Sequence, residues 1–384
     1  MKLCESLSLQ CSRRNKSFKY FVLCTIERKR SCKIFLAFRV PAKALCVDYT
    51  ISNAEMLLQH GFRVREGEVV EDVAERTKRG HIHLDPDGAD TLDHYCESRM
   101  LCILKRYHCP EDRKEDDMRK RSINEIKSLQ RLRRCKNVVT LLESFEYEGS
   151  TYCVMEYVWR GSLWALIRRN KHLDLETTRL FAFQVAQAIG EIHASGISHR
   201  DLTSSNIMIG SSGNLKIIDF NLCKRLDSKN TRMNSFVGTY SAMPPEVLHC
   251  SPRSGQKSTG TSYSKEIDWW YLGIMVYEML TGKQPFAIEG NLTRMGFYNK
   301  VARSPHEVDF SSIEDPCAKD LITQLLQAEL SERLGATGGV SHILKHKFFL
   351  GVKNTLDNSA TLTDYIDARI LECIKAIIAG ERDR

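Results

Sequence analysis

From about residue 66, apolar residues recur at regular intervals along the chain. Val69, Val70, Val73 and Ala74 open a strand-like stretch, and Ile82 and Leu84 continue it with every second position apolar, the spacing that lines one face of a sheet. A polar loop rich in Asp and Gly follows over residues 85–93, and residues 100–104 form a compact apolar run that reads as a further strand. The period then changes. Ile123, Ile126, Leu129 and Leu132 fall on one face of a helix predicted over residues 122–134. Residues 138–145 and 151–157 read as two more strands.

The second half is helical in pattern. Residues 177–194 carry Leu180, Phe181, Phe183, Val185, Ala186, Ile189 and Ile192 at amphipathic spacing, and residues 269–280 are apolar nearly all round, as in a helix buried within a large core. Residues 250–264 are polar and rich in Ser and Gly, a surface insertion. Residues 361–378 again show helical periodicity, for packing on a large lobe or a partner. Strands first and helices afterwards is the order of a small sheet lobe followed by a helical lobe, an α+β arrangement. The boundaries that follow are 1–65 for a basic N-terminal extension, 66–158 for the sheet lobe, 159–350 for the helical lobe and 351–384 for a C-terminal helical tail.

Charge adds one feature. Residues 1–50 hold eleven Lys or Arg against three acidic residues, which equals the surplus of +8 carried by all 384 residues. This leader is a candidate to contact acidic surfaces, with a solvated extension as the plainer reading. No apolar run approaches the ~18–20 residues of a membrane-spanning helix. The fourteen cysteines are scattered without a CxxC pair, which argues against zinc and favours reduced, buried thiols in the cytoplasm or nucleus.

The chemistry sits in one stretch. His199-Arg200-Asp201-Leu202-Thr203-Ser204-Ser205-Asn206 is followed, twenty residues after His199, by Asp219-Phe220-Asn221, itself preceded by the apolar residues 215–218. Phosphoryl transfer needs a carboxylate to orient the attacking hydroxyl and oxygen ligands to hold magnesium against the phosphates. Asp201 suits the first task, Asn206 and Asp219 the second. With these motifs the chain resembles the eukaryotic protein kinases, and with Asp268-Trp269-Trp270, Arg333-Leu334-Gly335 and His346-Lys347-Phe348-Phe349 it most resembles their AGC group, over roughly residues 66–350.

The resemblance implies a two-lobed protein-kinase-like fold, with a small antiparallel sheet lobe and a large helical lobe, and a serine/threonine kinase using ATP and Mg2+. It implies that Lys105 neutralises the α- and β-phosphates, that Glu125 pairs with Lys105, and that the backbone of Glu156 and Val158 meets the adenine. It makes Glu246 and Arg333 a buried pair. Ser235 stands where an upstream activating kinase would place a phosphate for Arg200.

The pattern also departs from the family. With Ile82 as the loop's valine, Glu75, Thr77 and Gly80 occupy the three positions of the glycine-rich loop, so Gly80 alone keeps its glycine. Thr203 replaces a catalytic-loop lysine, Asn221 replaces a glycine, and Ser162 and Ser205 stand where basophilic members carry carboxylates, Glu278 retaining a third. These departures motivate an alternative expectation, a pseudokinase that serves as an interaction scaffold with or without nucleotide.

Overall fold

The computed structural model describes residues 18–29, 32–41, 82–83, 101–107, 115–147, 149–158, 160–210, 213–226, 232–251, 262–286, 293–352 and 365–366. Its contacts divide the chain into two units: Met1–Ile126 with Thr140–Gly161 and Ala360–Arg384, and Lys127–Val139 with Ser162–Ser359.

The first unit is built on a five-stranded antiparallel sheet. Its strands are β1 (Phe18–Lys29), β2 (Cys32–Pro41), β3 (Leu101–Tyr107), β4 (Leu141–Tyr147) and β5 (Ser150–Glu156), in the spatial order β1-β2-β3-β5-β4. Helix α1 (Glu115–Arg131) joins β3 to β4 in sequence. One face of the sheet packs Ala37, Cys102, Leu104, Tyr152 and Val154 against Phe35, Leu142, Phe145 and Tyr147, with the Phe145 and Tyr152 rings stacked at 5.1 Å. Because strand side chains alternate, this seating of Cys102 and Leu104 turns Lys105 and Tyr107 to the opposite face. Both are buried there.

The sheet corrects two sequence-based expectations. Residues 18–41 are not part of an extension outside the sheet: they form its first hairpin, and Ile34 lies directly opposite Lys105. The net charge masked a strand pattern in which Cys32, Leu36 and Ala37 are buried while Arg39 pairs with Glu143 at 2.9 Å. The strand beside β3 is therefore β2, and not the stretch ending at Ile82. Ile82 instead pairs with Ile366 in a separate two-residue ladder. Gly80, Glu75, Thr77 and the strand expected from residue 69 lie outside the described residues. The β1–β2 ladder runs to Lys29 opposite Cys32, so only Arg30 and Ser31 separate these strands.

Smaller differences follow. Helix α1 starts at Glu115 rather than residue 122, and Ile123 is 37% exposed while Ile126, Leu129 and Leu132 are buried. Within the expected C-terminal helix the described pair Tyr365–Ile366 is strand, and the rest lies outside the described residues.

The second unit is mainly helical. It contains α2 (Leu163–Asn170), α3 (Leu175–Ala194), the short strands β6 (Ile197–Ser198), β7 (Ile207–Ile209), β8 (Leu215–Ile217) and β9 (Lys224–Arg225), then α4 (Pro245–His249), α5 (Ile267–Thr281), α6 (Arg294–Ala302), α7 (Pro316–Leu325) and α8 (Gly339–Leu344). Thirteen consecutive residues of α5, Ile267 to Glu278 and Met279 included, are buried, so it forms the centre on which α3 and α7 pack. Two of these helices start on aspartate caps, Asp174 accepting from Thr177 N and Asp315 from Ala318 N, each such cap being worth about 1 kcal/mol. Gly282 ends α5 at φ 71°, and a Cβ there would lie 1.8 Å from Lys171 O, so both conformation and space require glycine. Glu246 of α4 receives both Nη atoms of Arg333, at 2.5 and 2.9 Å, with the guanidinium over the Trp270 ring. Among the described residues no helix is long and apolar enough to cross a membrane.

Candidate active site

Within the second unit the polar motif is held from below by one carboxylate. Asp268, in the first turn of α5 and without solvent exposure, accepts from His199 N (3.0 Å), Arg200 N (2.9 Å), Ser198 Oγ (3.1 Å) and His193 Nε2 (2.8 Å). Burial alone would raise its pKa. The hydrogen bond and charge of His193, with the amide of Arg200, outweigh burial and hold it below the ordinary carboxylate value. The backbone leading to Asp201 is thus fixed at two successive amides.

That backbone is strained. Arg200 lies at φ 70° and Asp219 at φ 61°, left-handed conformations that cost of order 1–3 kcal/mol each and persist where the surroundings over-determine them. Arg200 is tied by Nε to Leu222 O (2.6 Å) and by Nη1 to Ser235 Oγ (2.7 Å) and Tyr263 OH (3.3 Å), while Tyr263 donates to Ser235 O (2.6 Å). Asp219 follows β8, whose ladder sets Ile217 opposite Ile207, and Ile218 N donates to Asn206 O at 2.9 Å. This register brings Asn206 beside the residue preceding Asp219. His199 completes the link, with Nε2 3.0 Å from Ile218 O and its ring edge-on to the fully buried Phe220 at 4.7 Å.

Asp201 itself is part-exposed and aimed by its neighbours. Its Oδ1 accepts from Thr239 N (2.8 Å) and Thr239 Oγ1 (2.7 Å). Asn206 Nδ2 donates to Asp201 O (2.8 Å) and approaches Oδ2 (3.4 Å). With Nδ2 committed in this way, the amide oxygen of Asn206 is the end left for a cation. An amide oxygen and the Asp219 carboxylate are hard donors that fit magnesium, which binds through one or two carboxylates, substrate phosphates and water rather than a full protein cage. Among the described residues no group of three or more His, Cys, Asp or Glu that could hold a metal occurs.

In the first unit Lys105 Nζ meets Glu125 Oε1 at 2.8 Å and Oε2 at 3.0 Å, with Lys105 2% and Glu125 0% exposed. Tyr107 donates its hydroxyl to Glu125 Oε2, and its ring lies 5.3 Å from Nζ. Glu156 ends β5 with its carboxylate accepting from Thr140 N at 2.7 Å, and Val158 is buried just beyond. Cys153, directly opposite Lys105, and Cys102 are buried thiols. Burial pushes Cys102 up to about 12 and Cys153 higher, so neither ionises near neutrality.

The expected residues therefore fall into two sets: Lys105, Glu125, Glu156 and Val158 in one unit, and Asp201, Asn206, Asp219 and Ser235 in the other. Ile82 lies in the first unit, where it pairs with Ile366. Three contributors have positioning roles that the sequence motifs do not reveal. Tyr107 and Thr239 are common residue types whose bonds reach 18 and 38 positions along the chain, and the Asp268-Trp269-Trp270 motif carries no sign that Asp268 bonds the backbone of His199 and Arg200.

A family model described as protein kinase domain matches residues 96–349, beginning after the β1–β2 hairpin. The serine/threonine protein kinase ypkA of Aspergillus fumigatus is 35% identical over 216 residues, covering 56% of this chain and 32% of that protein. The serine/threonine-protein kinase sgk-1 of Caenorhabditis elegans is 30% identical over 251 residues, covering 61% and 51%. Human serine/threonine-protein kinase Sgk1 is 32% identical over 212 residues, covering 55% and 46%. The chain thus spans about a third to a half of these relatives.

Proposed function

The chain belongs to the protein kinase domain family, and from that premise we propose that it is a serine/threonine protein kinase, transferring the γ-phosphate of ATP to hydroxyls of protein substrates with Mg2+. The observation that carries this reading is the seating of Asp201, whose carboxylate is fixed by Thr239 and flanked by Asn206.

In this reading Asp201 accepts the hydrogen bond of a serine or threonine hydroxyl and turns its oxygen toward the γ-phosphorus. The new O–P bond forms as the bond to the β–γ bridging oxygen breaks. ADP leaves, and the hydroxyl proton passes by way of Asp201 to solvent. Asn206 and Asp219 would hold Mg2+, which when bound draws charge from the phosphate oxygens. Lys105, kept in place by Glu125, supplies positive charge to the α- and β-phosphates, and the backbone of Glu156 and Val158 receives the adenine. Phosphate added to Ser235 by an upstream kinase would meet Arg200, already 2.7 Å from its hydroxyl. Buried thiols such as Cys102 and Cys153 suit a reducing compartment, the cytoplasm or nucleus.

The scaffold alternative finds no support in the relatives, whose names are those of kinases. The test is transfer from γ-labelled ATP to generic protein substrates and to the chain itself, with wild type, Asp201→Asn and Asp219→Ala compared. Label on serine or threonine, lost in both variants, is the expected result. Label that is absent from wild type, or equal in all three proteins, overturns the proposal.

A further inference from the structure

Helix α2 buries Leu163 and Ile167 and turns Trp164 and Arg168, likewise four residues apart, to solvent. Trp164 is 44% exposed, and the Arg168 guanidinium lies 5.6 Å from its ring centroid. An exposed tryptophan with a guanidinium near its ring offers apolar area and charge together, and Trp and Arg are both enriched where proteins meet partners.

The place of this face matters. Helix α2 packs on residues Ser204–Asn206, a segment that begins three positions after Asp201. Glu278 of α5, 5% exposed, engages the Ser204 side chain and lies in the field of Arg168. The charge of this stretch has one sign. Residues 157–173 contain Arg160, Arg168, Arg169 and Lys171 and no Asp or Glu; Arg168, Arg169 and Lys171 are exposed. Ser162 cannot supply a carboxylate and spends its hydroxyl on the N-cap of α2, accepting from Ala165 N at 3.2 Å. Glu278, on which the charge of Arg168 acts, is buried and already engaged by Ser204.

We infer that the Trp164–Arg168 face, with Arg169 and Lys171 beside it, reads acidic side chains flanking the phosphoacceptor, so that the substrates are serine or threonine sites in acidic segments. This rests on the kinase reading above and names its substrate class. Arginine beside an aromatic ring is a good partner for carboxylates because its planar donors pair with both oxygens while the ring supports the guanidinium.

The experiment uses three serine peptides of equal length, flanked by Asp, Ala or Arg. For each, kcat/KM and, separately, binding by fluorescence polarisation are measured with wild type, Trp164→Ala and the double variant Arg168→Glu/Arg169→Glu. An exposed ion pair contributes at most about fivefold, so several together should favour the Asp peptide over the Ala peptide roughly tenfold. That ratio should shrink as salt rises, exposed charges being screened, and invert toward the Arg peptide in the double variant. Thermal melts verify folding, and Arg168→Gln, with a smaller expected loss of the ratio, serves if the double variant does not fold. Equal use of the three peptides by wild type, or preference for the Arg peptide, overturns the inference. If no peptide is phosphorylated, the kinase reading is what fails. Polarisation then decides the acidic-segment inference: tighter binding of the Asp peptide, reversed by the variant, supports it, and equal binding overturns it.

Discussion

Asp201, Tyr107 and Asp268 show how single side chains divide the work. In the proposed reaction Asp201 orients the hydroxyl, and Asp201→Asn keeps the Thr239 contacts geometrically feasible while removing the charge. Phosphate transfer is expected to fall by about 10²–10⁴, with little change in melting temperature, measured by initial rates and calorimetry. Tyr107 acts through Glu125. Tyr107→Phe removes one hydrogen bond to a buried carboxylate, worth about 1.5–3 kcal/mol when the acceptor is charged, and the expected result is a stability loss of that order in urea unfolding. Asp268 governs acid sensitivity. Its folded-state pKa is depressed, so the unfolded chain takes up its proton first as pH falls. The stabilisation is complete above the ordinary carboxylate value of about 4 and disappears as pH drops through the lower folded value. Asp268→Asn should therefore flatten the acid limb of melting temperature against pH between about 5 and 2, besides lowering stability at neutrality by loosening the His199–Arg200 backbone.

At the scale of elements, the β1–β2 hairpin and the α4–Arg333 junction carry the clearest consequences. The hairpin lies beside the Lys105 strand, and in sequence only Arg30 and Ser31 stand between its two strands. It lacks the length and the glycines with which backbone amides wrap phosphates. Two non-glycine residues offer few amides to a phosphate, so ATP should bind weakly, with a KM toward the upper end of the usual range, about 1 mM, in initial-rate measurements against ATP concentration. At the other junction, Arg333 is 2% exposed and forked onto Glu246. Glu246→Ala leaves a buried guanidinium without its carboxylate and should cost about 3–5 kcal/mol in denaturant unfolding. Elements with a strong local period were legible from sequence: α3 and α5 lie close to where apolar spacing put them. The hairpin was not, because its identity depends on pairing with a strand more than sixty residues later, Ile34 opposite Lys105, and local alternation carries no address for a distant partner.

For the whole molecule, the two units answer to different kinds of information. The helical unit holds Asp201, Asn206 and Asp219 on a short stretch of chain, joined by the Ile207–Ile217 ladder and anchored on α5. The sheet unit assembles from segments scattered between residues 18 and 156. Removing residues 1–41 would turn β3, with buried Cys102 and Leu104, into an open edge. Exposed apolar edges recruit other chains, so the truncated protein should elute as aggregate in size-exclusion chromatography where the full chain does not.

The sequence by itself determined the chemistry: which carboxylates, amide and lysine are present, in what order, and hence which reaction they suit. Helix periodicity and short motifs are written in neighbouring residues, so they can be read without coordinates. Only the tertiary structure decided that a basic leader is the first hairpin of the sheet, that Ile82 belongs elsewhere, and that Asp268, Thr239 and Tyr107 set the positions of the motif residues. Those outcomes depend on pairing and hydrogen bonding between residues far apart in the chain, and the free energy of such contacts is settled by which partners burial brings together.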